Sequence, residues 1–174
     1  MCYRFNMITF TAKVEKIGDY TVLQLPDSAS NELPSRGQVA VTGTINGTHF
    51  EQVLEPNGKG GHWFKVKGEE GDYFTVEIAP SNTWPEPTIP HDFSQALNTA
   101  PVDVQALWKK ITPMARWEWI RWVNSTAIPE TRERRVEVSI SKMESGKRRP
   151  CCFNLASCTD PNVSKSGKLI DERV

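Results

Sequence analysis

The stretch Trp117–Arg149, WEWIRWVNSTAIPETRERRVEVSISKMESGKRR, decides how the rest of the chain is read. Its first part is dense in tryptophan, Pro129 interrupts it, and its second part is studded with Arg and Lys. Proline cannot continue a helix interior but suits the first helical turn, so Pro129 ends one helix and begins the next. In that next helix Val136, Ile140 and Met143 recur at i, i+4, i+7 and form one apolar face. Arg132, Arg134, Arg135 and Lys142 occupy the remainder, and Gly146 supplies the stop.

The same signals repeat upstream. Thr112-Pro113 is a helix start, Thr as N-cap and Pro at the first position, opening PMARWEWIRWVNSTA. Met114, Trp117, Ile120 (or Arg121) and Val123 form its expected stripe, widened by Trp119 and Trp122. Pro101 opens a helix striped by Val104, Leu107, Trp108 and Ile111. His91–Asn98 is a short helix facing inward through Phe93, Ala96 and Leu97. Before it, APSNTWPEPTIP holds prolines at 80, 85, 87 and 90, which no strand ladder or helix interior tolerates. That stretch is a linker, with Trp84 as an anchor for it.

The residues before the linker alternate and break as strands and turns do. Strands are expected at 5–15, 20–25, 38–45, 48–54, 62–67 and 73–78, with one helical turn near Asp27 or Ser28 as its N-cap. Asn46-Gly47 between two β-rich runs marks a two-residue hairpin, because both central residues of that turn need positive φ. Six strands with short turns favour closure, since closure removes exposed sheet edges. The reading is therefore an α+β chain in four parts. Residues 1–79 form a closed six-stranded β-barrel and 80–90 a Pro-rich linker. Residues 91–149 form a domain of about four α-helices, and 150–174 an irregular tail.

Composition excludes several classes. With 38% hydrophobic and 24% charged residues the chain is neither disordered nor membrane-spanning, and no run approaches the roughly 18 apolar residues of a membrane helix. MCYRFNMITF lacks a basic region followed by an apolar run, so no secretory signal is read and the cytoplasm is the expected compartment. Net charge is zero but uneven. Residues 1–100 carry 7 basic against 12 acidic side chains (7 − 12 = −5), and residues 101–174 carry 14 against 9 (14 − 9 = +5). Such asymmetry fits a basic partner-binding face or two domains of complementary charge. Cys151, Cys152 and Cys158 lack the C-x2-C spacing of a zinc ribbon and have no nearby His, so free thiols are expected.

No catalytic constellation stands out: no catalytic residue, cofactor site or metal site is assigned, and no cofactor is expected. The candidate binding residues are basic and aromatic. Arg132, Arg135, Lys147, Arg148 and Arg149 form a basic run in and after the last helix, where an anionic ligand or a protein could dock. Aromatics mixed with Arg and Lys also suit nucleic acid, through stacking and phosphate neutralisation. Core-like spacing of the tryptophans and interleaved Glu130, Glu133, Glu137 and Glu144 make that the less favoured alternative. Lys59 lies in the Gly-rich loop NGKGGH, whose backbone N–H groups could cradle an anion, although turn geometry alone explains the glycines. His62, Trp84 and an arginine would line an interdomain cleft if the chain held a small molecule or worked as an enzyme there.

Two stretches resemble known domains. VAVTGTINGTHF, LEPNGKGGHWFKV and GDYFTVEI, in residues 39–78, resemble a small bacterial β-barrel domain of unknown function. DFSQALNTAP, LWKKITPMARWEWIRWVNSTAIPETRERRVEVSISKMESGKR, in residues 92–148, resembles the YdeI/OmpD-associated, or bacteriocin-protection, family. TINGTHF and PETRERR are the most specific parts. The resemblance implies no enzymatic activity and carries no catalytic residue to this chain. It ties the chain to envelope stress and porins by association. Asn46, Gly47, Glu130, Thr131, Arg132 and Arg135 stand at matching positions, and the Gly68–Asp72 connection is shorter than the resemblance leads one to expect. The expected function is a non-catalytic binding or adaptor role.

Overall fold

In the computed structural model the described residues are 6–150 and 160–161, with the backbone of 164–165 and 168–169. Cys2, Cys151, Cys152 and Cys158, and most of the expected tail, lie outside them. The chain divides into two compact units, residues 1–85 with 154–174 and residues 86–153.

The first unit is a curled antiparallel sheet of seven strands: β1 (Ile8–Lys13), β2 (Glu15–Ile17), β3 (Tyr20–Gln24), β4 (Val39–Ile45), β5 (Thr48–Pro56), β6 (His62–Lys65) and β7 (Tyr73–Pro80). Their order across the sheet is β1-β7-β4-β5-β6-β3-β2. A two-stranded ladder of β8 (Ser164–Lys165) and β9 (Lys168–Leu169) stands apart from it. The expected first strand is split at the buried Val14, whose N–H donates to the Asp72 carbonyl at 2.7 Å. Before Val14 the chain pairs with β7, and after it with β3. The two sheet ends are thus linked by the chain rather than by a ladder, so the sheet is an open half-barrel and not a closed six-stranded barrel. The chain makes two strands where one long strand was expected.

Asn46 and Gly47 turn β4 into β5 with φ of 49° and 83°, as the hairpin reading required. Gly43 lies where β4 meets β7: a Cβ there would overlap the Glu77 carbonyl oxygen, so only glycine lets the two backbones approach. Ile8, Phe10, Leu23, Leu54, Phe64, Val76 and Ile78 fill the concave face. A short helix α1 (Asp27–Ser30) adds Ala29 to that core, with Leu33 just beyond it. Pro26 takes the N-cap place, and neither Asp27 nor Ser28 caps it.

The second unit packs α2 (His91–Asn98), α3 (Val102–Lys110), α4 (Pro113–Asn124) and α5 (Pro129–Glu144). These four match the number expected of this part, and with α1 the described residues hold five helices. Thr112 caps α4 by accepting from the Ala115 N–H at 3.2 Å. Gly146 (φ 85°) ends α5, its N–H donating to the Met143 carbonyl and the Lys147 N–H to that of Lys142. Phe93, Val104, Trp108, Trp119, Val136 and Met143 form the core. The buried face of α4 is Ala115, Glu118, Trp119, Ile120 and Val123, while Met114 and Trp117 are only half-buried. The helix is therefore rotated from the expected stripe.

Candidate binding site

β5 pairs with β4 along the whole hairpin, from Val39↔Leu54 to Ile45↔Thr48. It pairs with β6 only at Glu55↔Trp63 and Pro56↔His62. Beyond those two positions β6 leans towards β3: the Val66 N–H donates to the Thr21 carbonyl at 3.0 Å, and the Thr21 hydroxyl donates back to the Val66 carbonyl at 2.6 Å. At the splayed end the Gln52 amide reaches across to the Lys65 carbonyl at 3.3 Å. The separation leaves a cavity of about 760 Å³.

Its floor is Ile45, Phe50, Val66 and Phe74, half-buried side chains that continue the sheet core outward. The Phe50 ring stacks on Phe64, with centroids 5.7 Å apart and planes 15° from parallel, which fixes one wall. Asn46, Thr48, His49, Gln52, Lys65 and Lys67 complete the lining. Among the described residues no carboxylate lines the cavity, although the sequence up to residue 100 is acidic overall. Lys65 Nζ lies 3.7 Å from the centre of the Tyr20 ring and 3.9 Å from Asp160 Oδ2, so its ammonium is held in place. Lys67 is exposed and has no ion-pair partner among the described residues.

The residues singled out by sequence lie elsewhere. His62 is fully buried: its Nε2 is 2.9 Å from the Gly37 carbonyl and its Nδ1 is 3.1 Å from the Ser30 hydroxyl. The carbonyl can only accept, so Nε2 carries the proton and Nδ1 accepts from Ser30. Burial, which penalises the imidazolium, lowers its pKa from 6.5 to about 4. Lys59 is exposed, but the loop around it is already closed on itself, because Asn57 Oδ1 accepts from the N–H groups of Lys59 and Gly61 at 2.8 and 2.9 Å. Those N–H groups are used by the loop's own side chain. Trp84 is half-buried in the linker.

The arginines of the helical unit tie helices together. Arg132 holds Asp92 of α2 in a two-point contact at 2.7 and 3.0 Å and donates to Asn124 Oδ1 at 2.8 Å. That hydrogen bond is the main reason the Asp92 carboxyl titrates below its usual range. Arg135 donates to the Trp122 carbonyl and the Ser125 hydroxyl, both at 2.8 Å, closing the C-terminal end of α4. Arg149 Nε lies 3.3 Å from Glu118 Oε2. Glu118 is buried on α4, and burial pushes its carboxyl up, an effect Arg149 partly offsets. Lys147 and Arg148 are exposed, and the Arg148 carbonyl accepts from the Trp119 indole N–H at 2.9 Å.

Sequence reasoning missed the cavity residues. Their signal was the alternation of Lys65, Val66 and Lys67 at the end of a strand, which alternation alone assigns to an ordinary sheet edge. It also missed Arg116, whose guanidinium donates to the carbonyls of Trp108, Lys109 and Ile111 and so caps α3. A shallower hollow of about 380 Å³ on the helical unit has Val136 and Ile140 in its floor and Glu137 and Glu144 among its lining.

Residues 86–146 match the family described as bacteriocin-protection, YdeI or OmpD-associated, and residues 10–70 match a domain of unknown function, DUF1905. No curated protein matches the chain. No helix among the described residues is long and apolar enough to cross a membrane.

Proposed function

We propose that the chain, whose residues 10–70 and 86–146 match DUF1905 and the YdeI/OmpD-associated family, is a non-catalytic binding protein whose ligand site is the mouth of the half-barrel. The cavity between β5 and β6 carries this reading. It has the size of a small-molecule site, an apolar floor and a few polar groups at its edge, the combination that ligand sites share. The hydrogen-bonded Ser30–His62 pair supports the non-catalytic part, because the two residues are 1% and 0% exposed and no substrate reaches them. Nucleic-acid binding through the last helix is weakened by the contacts of Arg132, Arg135 and Arg149, which are spent inside the helical unit.

Titration with a neutral aromatic fluorophore, phenylnaphthylamine, tests the reading. Saturable one-to-one binding that weakens about thirtyfold in a folded Phe74→Ala chain is expected, since that change removes about 2 kcal/mol of apolar contact. Absence of saturable binding, or binding indifferent to Phe74, contradicts it.

A further inference from the structure

We infer that the half-barrel mouth selects a small amphiphilic anion: an apolar, aromatic-sized body on the floor and a single carboxylate, sulfonate or phosphate at the lysine edge. The inference rests on the binding reading above and adds the charge of the ligand to it. Ile45, Phe50, Val66 and Phe74 offer only apolar surface, so the body of the ligand is uncharged. Among the described residues, every ionisable side chain of the lining is basic: Lys65, Lys67 and His49.

That bias runs against the local composition. Residues 6–85 hold 6 Lys and Arg against 10 Asp and Glu (6 − 10 = −4), yet none of those acids lines the cavity. The nearest compensation is already committed. Asp160 and the Tyr20 ring hold Lys65, and Glu51 lies 3.8 Å from His49. Lys67 is left with no ion-pair partner among the described residues, at the edge of an apolar hollow. A cation beside a low-dielectric wall attracts an anion more strongly than one surrounded by water does. Gln52 spends one of its two amide N–H groups on the Lys65 carbonyl, and Gln52, Asn46 and Thr48 carry no charge. The charge selection therefore falls to the lysines.

A matched pair of probes separates the parts of the claim. Anilinonaphthalene sulfonate and its uncharged parent phenylnaphthylamine share one aromatic body and differ by the anionic group. On the full chain at low salt, the sulfonate is expected to bind about fivefold tighter than the parent, the scale of one partly exposed charge pair. Lys67→Glu should abolish that preference, read as the ratio of the two probes' affinities within the same variant. Raising the salt should shrink the preference in the same way. Equal affinities in the unaltered chain, or a sulfonate preference that survives Lys67→Glu, overturns the anion selection while the binding reading stands. If neither probe saturates a single site, the binding reading itself fails. Lys109→Glu, an exposed lysine of α3, serves as the control for general charge effects and should change neither affinity.

Discussion

His62 enters the half-barrel as a neutral imidazole, held between the Ser30 hydroxyl and the Gly37 carbonyl, and its stability contribution follows from that state. Its folded pKa, about 4, lies below the unfolded value of 6.5. Between those values the unfolded chain takes up a proton that the folded chain refuses, so stability falls as pH falls across that window. The full loss is about 3 kcal/mol. Urea unfolding between about pH 7 and about pH 4.5 should show this slope, and a His62→Gln chain should lack it. Equal slopes would contradict a neutral buried His62. Asp92 has the opposite sign. Its carboxyl is depressed by Arg132, so its contribution holds above the unfolded pKa and is lost as pH falls through the folded one. Arg132→Ala should return the Asp92 titration towards the ordinary carboxylate range, read by carboxyl NMR, at a cost of about 1 kcal/mol.

At the scale of elements, the fit of β4 against β7 depends on Gly43. Gly43→Ala should cost about 2–3 kcal/mol, since the added carbon meets backbone rather than a movable side chain. The rotation of α4 gives a second test. Trp119→Ala should cost about 3–5 kcal/mol and Met114→Ala less than about 1 kcal/mol, reversing the order that the expected stripe implies. Thermal unfolding of the two chains decides it. Helix ends were legible in the sequence because proline and glycine act locally: Thr112-Pro113, Pro129 and Gly146 mark real boundaries. The rotation of α4 was not, because six aromatic or aliphatic side chains in Pro113–Asn124 let several stripes satisfy the same spacing. Glu118, a carboxylate on the buried face, has its charge partner Arg149 31 positions away, which helical spacing alone does not reveal.

For the whole molecule, the α+β class and the strand-rich and helix-rich halves followed from periodicity, but closure of the sheet did not. Closure depends on whether the first strand stays continuous past Val14 and whether β5 and β6 stay paired beyond Glu55, both decided by distant partners. The second of these, the parting of β5 from β6, made the cavity. Sequence reasoning therefore sought function among the arginines of α5, whose density was visible, and passed over Lys65 and Lys67, whose meaning depends on the gap beside them. The most direct measurement is amide chemical-shift mapping of the full chain with anilinonaphthalene sulfonate. Shifts centred on Phe50, Val66, Lys67 and Phe74 are expected. Shifts centred instead on Ala96, Val136 and Ile140 of the helical unit, or spread without a centre, would contradict a ligand site in the half-barrel.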